Sequence, residues 1–250
     1  MAIIAICNSK GGVGKSTTAV NLAHGLALRG KRTLIIDLDP QGQCASLLGI
    51  NQEPCIFDLL ISEPGDFTIE QAIRSTGRPG LQIIPGNRRT ATAQTVLTAD
   101  NRPLTYLGDK LKKISADFMI IDTAPSMGEL LYMAMRASDY YLIPTACDFL
   151  SSEGVFRVQD MIKGIYEKDN YAPELLGILP TFYDQITKES AATLEDLGKH
   201  FNKGILTPIH RATILRECAA IGKTIFEHDP KSRAGQEYNQ LTDHVLEVIK

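Results

Sequence analysis

The chain carries no excess of charge of either sign: 26 lysines and arginines against 29 aspartates and glutamates leave a formal net charge of −3 over 250 residues. That balance excludes a wholesale polycation, so any contact with nucleic acid has to come from a local basic patch. The five cysteines, Cys7, Cys44, Cys55, Cys147 and Cys218, include no Cys-x-x-Cys pair. No secretory leader is visible and no apolar run reaches membrane-spanning length, so a reduced, cytoplasmic chain is expected. No linker, internal repeat or low-complexity tract divides the sequence. One α/β domain over residues 1–250, with a large core, is therefore expected.

The segment Lys10-Gly11-Gly12-Val13-Gly14-Lys15-Ser16-Thr17 follows the apolar run Ala2-Ile3-Ile4-Ala5-Ile6-Cys7. A strand, a glycine-rich loop and a helix start in that order form a phosphate cradle. Glycines let backbone N–H groups converge on phosphate oxygens, the helix N-terminus adds partial positive charge, Lys15 neutralises phosphate, and the Ser16 hydroxyl can ligate Mg²⁺. At average residue usage, such a string arises by chance in a chain of this size with a probability on the order of 10⁻⁵ to 10⁻⁴. A nucleoside triphosphate is the implied ligand.

The loop departs from Gly-x-x-x-x-Gly-Lys-[Ser/Thr] at its first position, where Ser9 stands, and it adds a second lysine, Lys10. In this the chain resembles the ParA/MinD family of deviant phosphate-loop ATPases, and most nearly its ParA-type partition members. The resemblance spans almost the whole length and is strongest over residues 2–42, 117–126 and 205–235. It implies that Lys10 reaches the phosphates bound by a partner subunit, making nucleotide the glue of a sandwich dimer. The nitrogenase iron protein shares the deviant loop but needs cluster-holding cysteines, and Thr123 to Glu129 contains none.

Apolar runs at 33–36 and 118–121 deliver Asp37-Leu38-Asp39-Pro40-Gln41-Gly42 and Asp122-Thr123-Ala124-Pro125 to the ends of buried parallel strands, where α/β sheets bind ligands. Further strands are expected around 82–84, 140–143 and 175–179, and the whole reads as a doubly wound, mainly parallel sheet flanked by helices. Residues 51–100 show weak periodicity and are expected to form short helices, loops and one strand. Residues 232–250 read as a helix with Tyr238, Leu241, Val245, Leu246 and Ile249 on one side, packing on the chain's own core.

By resemblance, Asp39 polarises the attacking water, Asp37 supports the Mg²⁺ and water network, Asp122 acts on Mg²⁺ through a water, and Ser16 ligates it directly. Simple capping of the loop at Pro40 is the competing role for Asp37 and Asp39. Asp148 stands where relatives carry an acidic residue near the partner's nucleotide, although an N-cap explains it equally well. Thr181 and Pro208 fall in the two stretches that wrap adenine in relatives, mostly with backbone atoms, and no guanine-reading Asn-Lys-x-Asp motif is present. Slow basal hydrolysis is expected where lysine replaces an arginine finger.

Relatives ride nonspecific DNA on basic residues near the C-terminal end. Here the candidates are Lys199, Lys203, Arg211, Arg216 and Lys223, interleaved with Glu189, Glu195, Asp196 and Glu217. The family often shows Ile-Pro-Arg-Asn-x-Arg, whereas this chain has Ile209-His210-Arg211-Ala212-Thr213-Ile214-Leu215-Arg216. The resemblance thus implies an ATP-dependent homodimer, localised to the nucleoid when ATP-bound, with a ParB-like or other cargo-bound activator. The cargo could be a plasmid, a chromosome, a chemoreceptor cluster or a carboxysome. A MinD-like membrane-surface ATPase is the rival, but the last helix carries Glu237, Asp243 and Glu247 against Lys250, a poor match to anionic lipid. A ligase of the dethiobiotin-synthetase or cobyrinate-amidating kind is a third reading. With the phosphate loop beginning by residue 10, no separate DNA-reading helix-turn-helix is expected ahead of it.

Overall fold

Residues 1–62, 66–148, 151–201 and 204–249 are described by the computed structural model. The first half runs β1 (Ala2–Ile6), α1 (Lys15–Leu28), β2 (Thr33–Asp37), α2 (Gln43–Leu47), α3 (Ile56–Ile61), α4 (Ile69–Ala72), β3 (Arg74–Ser75), β4 (Leu81–Ile84), α5 (Arg89–Ala99), α6 (Tyr106–Leu111) and β5 (Phe118–Asp122). The second half adds α7 (Glu129–Ala137), β6 (Tyr140–Ala146), α8 (Ser151–Asp169), β7 (Glu174–Thr181), α9 (Lys188–Phe201), α10 (Thr213–Ala220), α11 (Ile225–His228) and α12 (Arg233–Val248).

The strands form one seven-stranded sheet in the order β3-β4-β2-β5-β1-β6-β7. Every neighbouring pair is parallel except β3 with β4. Strand side chains alternate between faces, and the burial pattern follows that period of two. Ile4, Ile6, Phe118 and Ile120 face one helical layer with α1 and α12. Ile3, Met119 and Ile121 face the opposite layer, built from α3 to α7. Ala5, Tyr141 and Ile143 pack with α8. Each large aliphatic side chain buried this way contributes about 1.5–3 kcal/mol, which fixes the sheet as the rigid platform of the molecule. The expected doubly wound, mainly parallel architecture is the observed one.

One strand was not anticipated. Region 51–100 contributes β4 as expected, but also the two-residue antiparallel edge β3, whose Arg74 and Ser75 are half-buried and exposed and carry no apolar pattern. Pro64, in the same region, and Lys250 lie outside the described residues.

The helix behind the phosphate loop packs very closely on the last helix. A Cβ on Gly25 of α1 would sit 2.3 Å from Thr242 Oγ1 and 3.2 Å from a Phe226 ring atom. Thr242 is fully buried and its hydroxyl donates to the Tyr238 carbonyl at 2.7 Å. Gly25→Ala should therefore destabilise the fold by about 1–3 kcal/mol despite alanine's better helix propensity. Urea or thermal unfolding checks this, and Thr242→Ala in the same chain should restore part of the loss.

Candidate functional site

The parallel register brings three strand ends together. Ile6 pairs with Asp122 across β1 and β5, and Asp37 pairs with Asp122 across β2 and β5. The phosphate loop leaves β1 at this point. Gly12 and Gly14 adopt φ of 73° and 84°, left-handed conformations that a Cβ would strain, and Gly14 caps α1 without a side-chain hydrogen bond. The first-turn N–H groups of α1 are thereby left facing the loop.

The loop's shape depends on Asn8, a residue that motif reading passed over. Its side chain donates to the Pro144 carbonyl at 2.8 Å and accepts from the Lys10 N–H at 2.9 Å, tying the loop to β6. Thr181 at the end of β7 donates its hydroxyl to the Val13 carbonyl at 2.9 Å. Lys15 is 6% exposed and donates to the Lys10 carbonyl at 3.0 Å. Burial lowers its pKa, while Asp122 and Asp39 oppose that shift.

Asp37 and Asp122 are both fully buried. Asp37 accepts from the N–H groups of Asp39 (3.0 Å) and Cys44 (3.1 Å), which shapes the loop between β2 and α2. A loop-capping bond is thus made by Asp37, and Asp39 makes one as well, across Pro40. Asp122 Oδ2 accepts from the Cys44 thiol at 3.3 Å, and its Oδ1 has no hydrogen-bond partner among the described residues. Burial pushes both carboxyls above their ordinary range, most strongly Asp37, with Asp122 adding to that rise. Cys44, which sequence reasoning treated only as an unpaired thiol, completes a buried trio with the two aspartates. Asp39, 8% exposed, accepts from the Gln41 N–H at 2.9 Å.

Lys10 sits at the rim. Its ammonium lies 2.5 Å from Asp148 Oδ1, with the two side chains 33% and 44% exposed. Phe149 and Leu150, from the stretch expected to lead into a dimer-facing helix, lie outside the described residues.

A cavity of about 340 Å³ opens beside the phosphate loop, lined by Gly14, Thr17, Thr181, Phe182, Ile209, His210 and others. Thr181 is among the residues lining it. Pro208 does not line this cavity. The 207–210 stretch runs alongside the β7 end through Ile209 N–H to Pro180 O (2.8 Å) and Tyr183 N–H to Ile209 O (3.1 Å), and it presents Ile209 and His210 instead. Tyr238, expected in the core, also lines the cavity.

The basic candidates are not gathered at one spot. Arg211 and Arg216 line the same cavity, and neither makes an ion pair among the described residues. Lys199 is held by Glu195 at 2.7 Å and lines a separate groove with Asp148 and Lys188. Lys223 follows α10, its N–H bonded to the Cys218 carbonyl at 3.0 Å. Lys203 lies outside the described residues. No helix among the described residues is long and apolar enough to cross a membrane.

A family model described as an AAA domain matches residues 1–175. Soj of Bacillus subtilis, a sporulation initiation inhibitor protein, is 35% identical over 97% of this chain and 97% of its own length. The chromosome partitioning protein ParA of Caulobacter vibrioides is 32% identical over 98% of this chain and 94% of its own. Among solved structures, cobyrinic acid a,c-diamide synthase from Mycobacterium smegmatis, with bound ATP analogue and magnesium, superposes with a TM-score of 0.84 at 28% identity, covering 98% of this chain and 94% of that one. Cyanthece apo McdA gives a TM-score of 0.87 at 22% identity over 98% and 99%, a likeness of fold alone. By its phosphate loop, its sheet and these relatives, the chain belongs to the ParA/MinD-type P-loop ATPases.

Proposed function

We propose that this chain is a partition ATPase of one domain that binds Mg·ATP, dimerises through the nucleotide, and rides nonspecific DNA as that dimer in the cytoplasm. A cargo-bound, ParB-like activator then triggers hydrolysis and release. The observation that carries this reading is one site holding a buried Lys15, two buried aspartates and a second lysine, Lys10, at its rim.

The donor set fits magnesium. Ser16 and Asp122 offer the hard oxygens it prefers, and the buried, unpartnered Asp122 Oδ1 is a lone pair that a metal-bound water would satisfy. A bound ion would neutralise charge developing on the phosphates. Lys15 binds the phosphates from inside the loop, Asp37 shapes the loop that carries Asp39, and Asp39 orients the attacking water. Lys10 has to exchange its Asp148 partner for phosphate across the dimer. An ion pair this exposed is worth about 0–1 kcal/mol, so the exchange is cheap. With lysine in place of an arginine finger, basal turnover is slow and the dimer persists on DNA until it is stimulated.

The membrane-surface reading loses ground on α12, whose Tyr238, Leu241 and Val245 are buried in the core instead of offered to lipid. Arg211 and Arg216, exposed and without ion pairs among the described residues, remain the favoured DNA contacts, and Lys199 the weakest.

Binding to sequence-unrelated duplex DNA, measured without nucleotide, with ADP and with Mg·ATP across a salt series, tests the reading. Retention only with ATP, falling steeply as salt rises, is expected. No binding in any state would send the assignment to lipid vesicles or to ligase substrates. Lys15→Ala should abolish nucleotide binding in equilibrium dialysis. Lys10→Ala should bind ATP yet remain monomeric by light scattering. Asp39→Ala should lower hydrolysis by at least about 100-fold while keeping an ATP-bound dimer on DNA, and normal turnover in that variant removes Asp39 from its role.

A further inference from the structure

Among the described residues, three that are not glycine have a left-handed backbone: Asn101 (φ 50°), Asn170 (51°) and Phe182 (52°). Asparagine tolerates that region, whereas a bulky aromatic there is strained, a condition concentrated at binding and active sites. Phe182 directly follows β7, and its two neighbours are pinned. The Thr181 carbonyl accepts the Cys147 N–H at 2.9 Å and its hydroxyl donates to the Val13 carbonyl at 2.9 Å. Tyr183 donates its N–H to the Ile209 carbonyl at 3.1 Å and accepts the Arg211 N–H at 2.9 Å.

The turn decides where the side chain goes. Successive side chains of a strand point to opposite faces, so an extended residue 182 would point away from Thr181. Instead both reach the phosphate loop: a Cβ built on Gly14 would lie 3.8 Å from Thr181 Cγ2 and 3.9 Å from the ring atom Cε2 of Phe182. The ring is not sealed in there. Phe182 is 39% exposed, and it lines the cavity of about 340 Å³ that Gly14 and Thr17 border. A phosphate chain held on the loop and on the N-terminus of α1 sends its nucleoside outward from the loop. This cavity is the space that adjoins the loop at Gly14.

We propose that Phe182 is a base-stacking residue: its ring is the platform on which the base of the bound nucleotide lies. The proposal rests on the nucleotide-binding reading above and adds a side-chain contact, where the family resemblance implies mostly backbone ones. Exposed aromatic surface is unfavourable in water, and a stacked base covers it. Every base has a π-face, so the contact supplies affinity and not a choice among bases. The strained backbone then has a use, because it fixes the ring beside the loop before nucleotide arrives and little freedom is lost on binding.

Calorimetric titration of ADP and of inorganic pyrophosphate, each with Mg²⁺, tests this on the wild-type chain, Phe182→Ala and Phe182→Trp. Phe182→Ala should weaken ADP by about 10-fold while leaving pyrophosphate within about twofold of the wild type. Phe182→Trp, which keeps a π-face, should hold ADP as the wild type does. The chain has no tryptophan, so the introduced indole reports alone, and ADP should quench its fluorescence where pyrophosphate does not. Equal ADP affinity in the wild type and Phe182→Ala overturns the proposal and leaves the nucleotide reading standing. A loss shared alike by ADP and pyrophosphate also overturns it, since that marks a residue that only shapes the loop. Tryptophan emission that pyrophosphate changes as much as ADP does overturns it as well. A wild type that binds neither ligand overturns both the proposal and the nucleotide reading.

Discussion

Asp37 and Asp122 end neighbouring parallel strands in direct register, and both carboxyls are sealed from solvent. Two like charges side by side in a low-dielectric interior repel, and each also loses its hydration. The surrounding structure is arranged around that cost. The N–H groups of Asp39 and Cys44 converge on Asp37, while the Cys44 thiol, the Ser16 hydroxyl and the Lys15 ammonium act on Asp122. The compensation is incomplete, since both carboxyls stay above their ordinary titration range and one Asp122 oxygen has no hydrogen-bond partner among the described residues. On the reading proposed above, a magnesium ion bound beside Asp122 would offset part of the repulsion that the protein alone leaves standing.

The same register explains why Lys10, Asp39 and Asp148 sit on loops. Strands β1, β2 and β5 are buried along their length and cannot rearrange without breaking the sheet, so they serve as fixed posts. Lys10, Asp39 and Asp148 stand just beyond those posts or beyond β6, on backbone held by bonds that include Asn8 to Pro144, Asp37 to Asp39 and Thr181 to Val13.

Most of the site's phosphate end was legible in the sequence because the information is local. A phosphate loop is written in consecutive residues, and a carboxylate at the end of an apolar run is delivered to the sheet edge by the strand itself. The cavity beside the loop was legible only as two stretches: Thr181, Phe182 and Ile209 from them line it and Pro208 does not, because the bridge alongside β7 presents Ile209 and His210, an offset that nothing in residues 205–212 alone encodes. Lys199 stood among the basic candidates with Glu195 interleaved, and its i,i+4 ion pair with Glu195 holds it. The bonds of Asn8 to Pro144 and of Glu237 to His210 escaped notice because these partners are distant in sequence. The edge strand β3 carries no hydrophobic signal at all, being held by pairing with β4 and not by burial.

The last helix shows how the two ends of the site depend on one packing decision. The glycine at position 25 lets α12 approach α1, and Arg29 fastens the pair with bonds to Asp243 (2.6 Å) and Asn239 (3.3 Å). With the helix so placed, Tyr238 forms part of the cavity wall, its hydroxyl 3.5 Å from Thr18 on the helix behind the phosphate loop. Its neighbour Glu237 holds the His210 backbone and ring. An α12 drawn out to a lipid surface would have to expose Tyr238, Leu241 and Val245, break the Glu237–His210 pair and open the cavity beside Gly14 in the same motion. Detaching the C-terminal helix would therefore cost this buried packing as well as a wall of the cavity beside the phosphate loop.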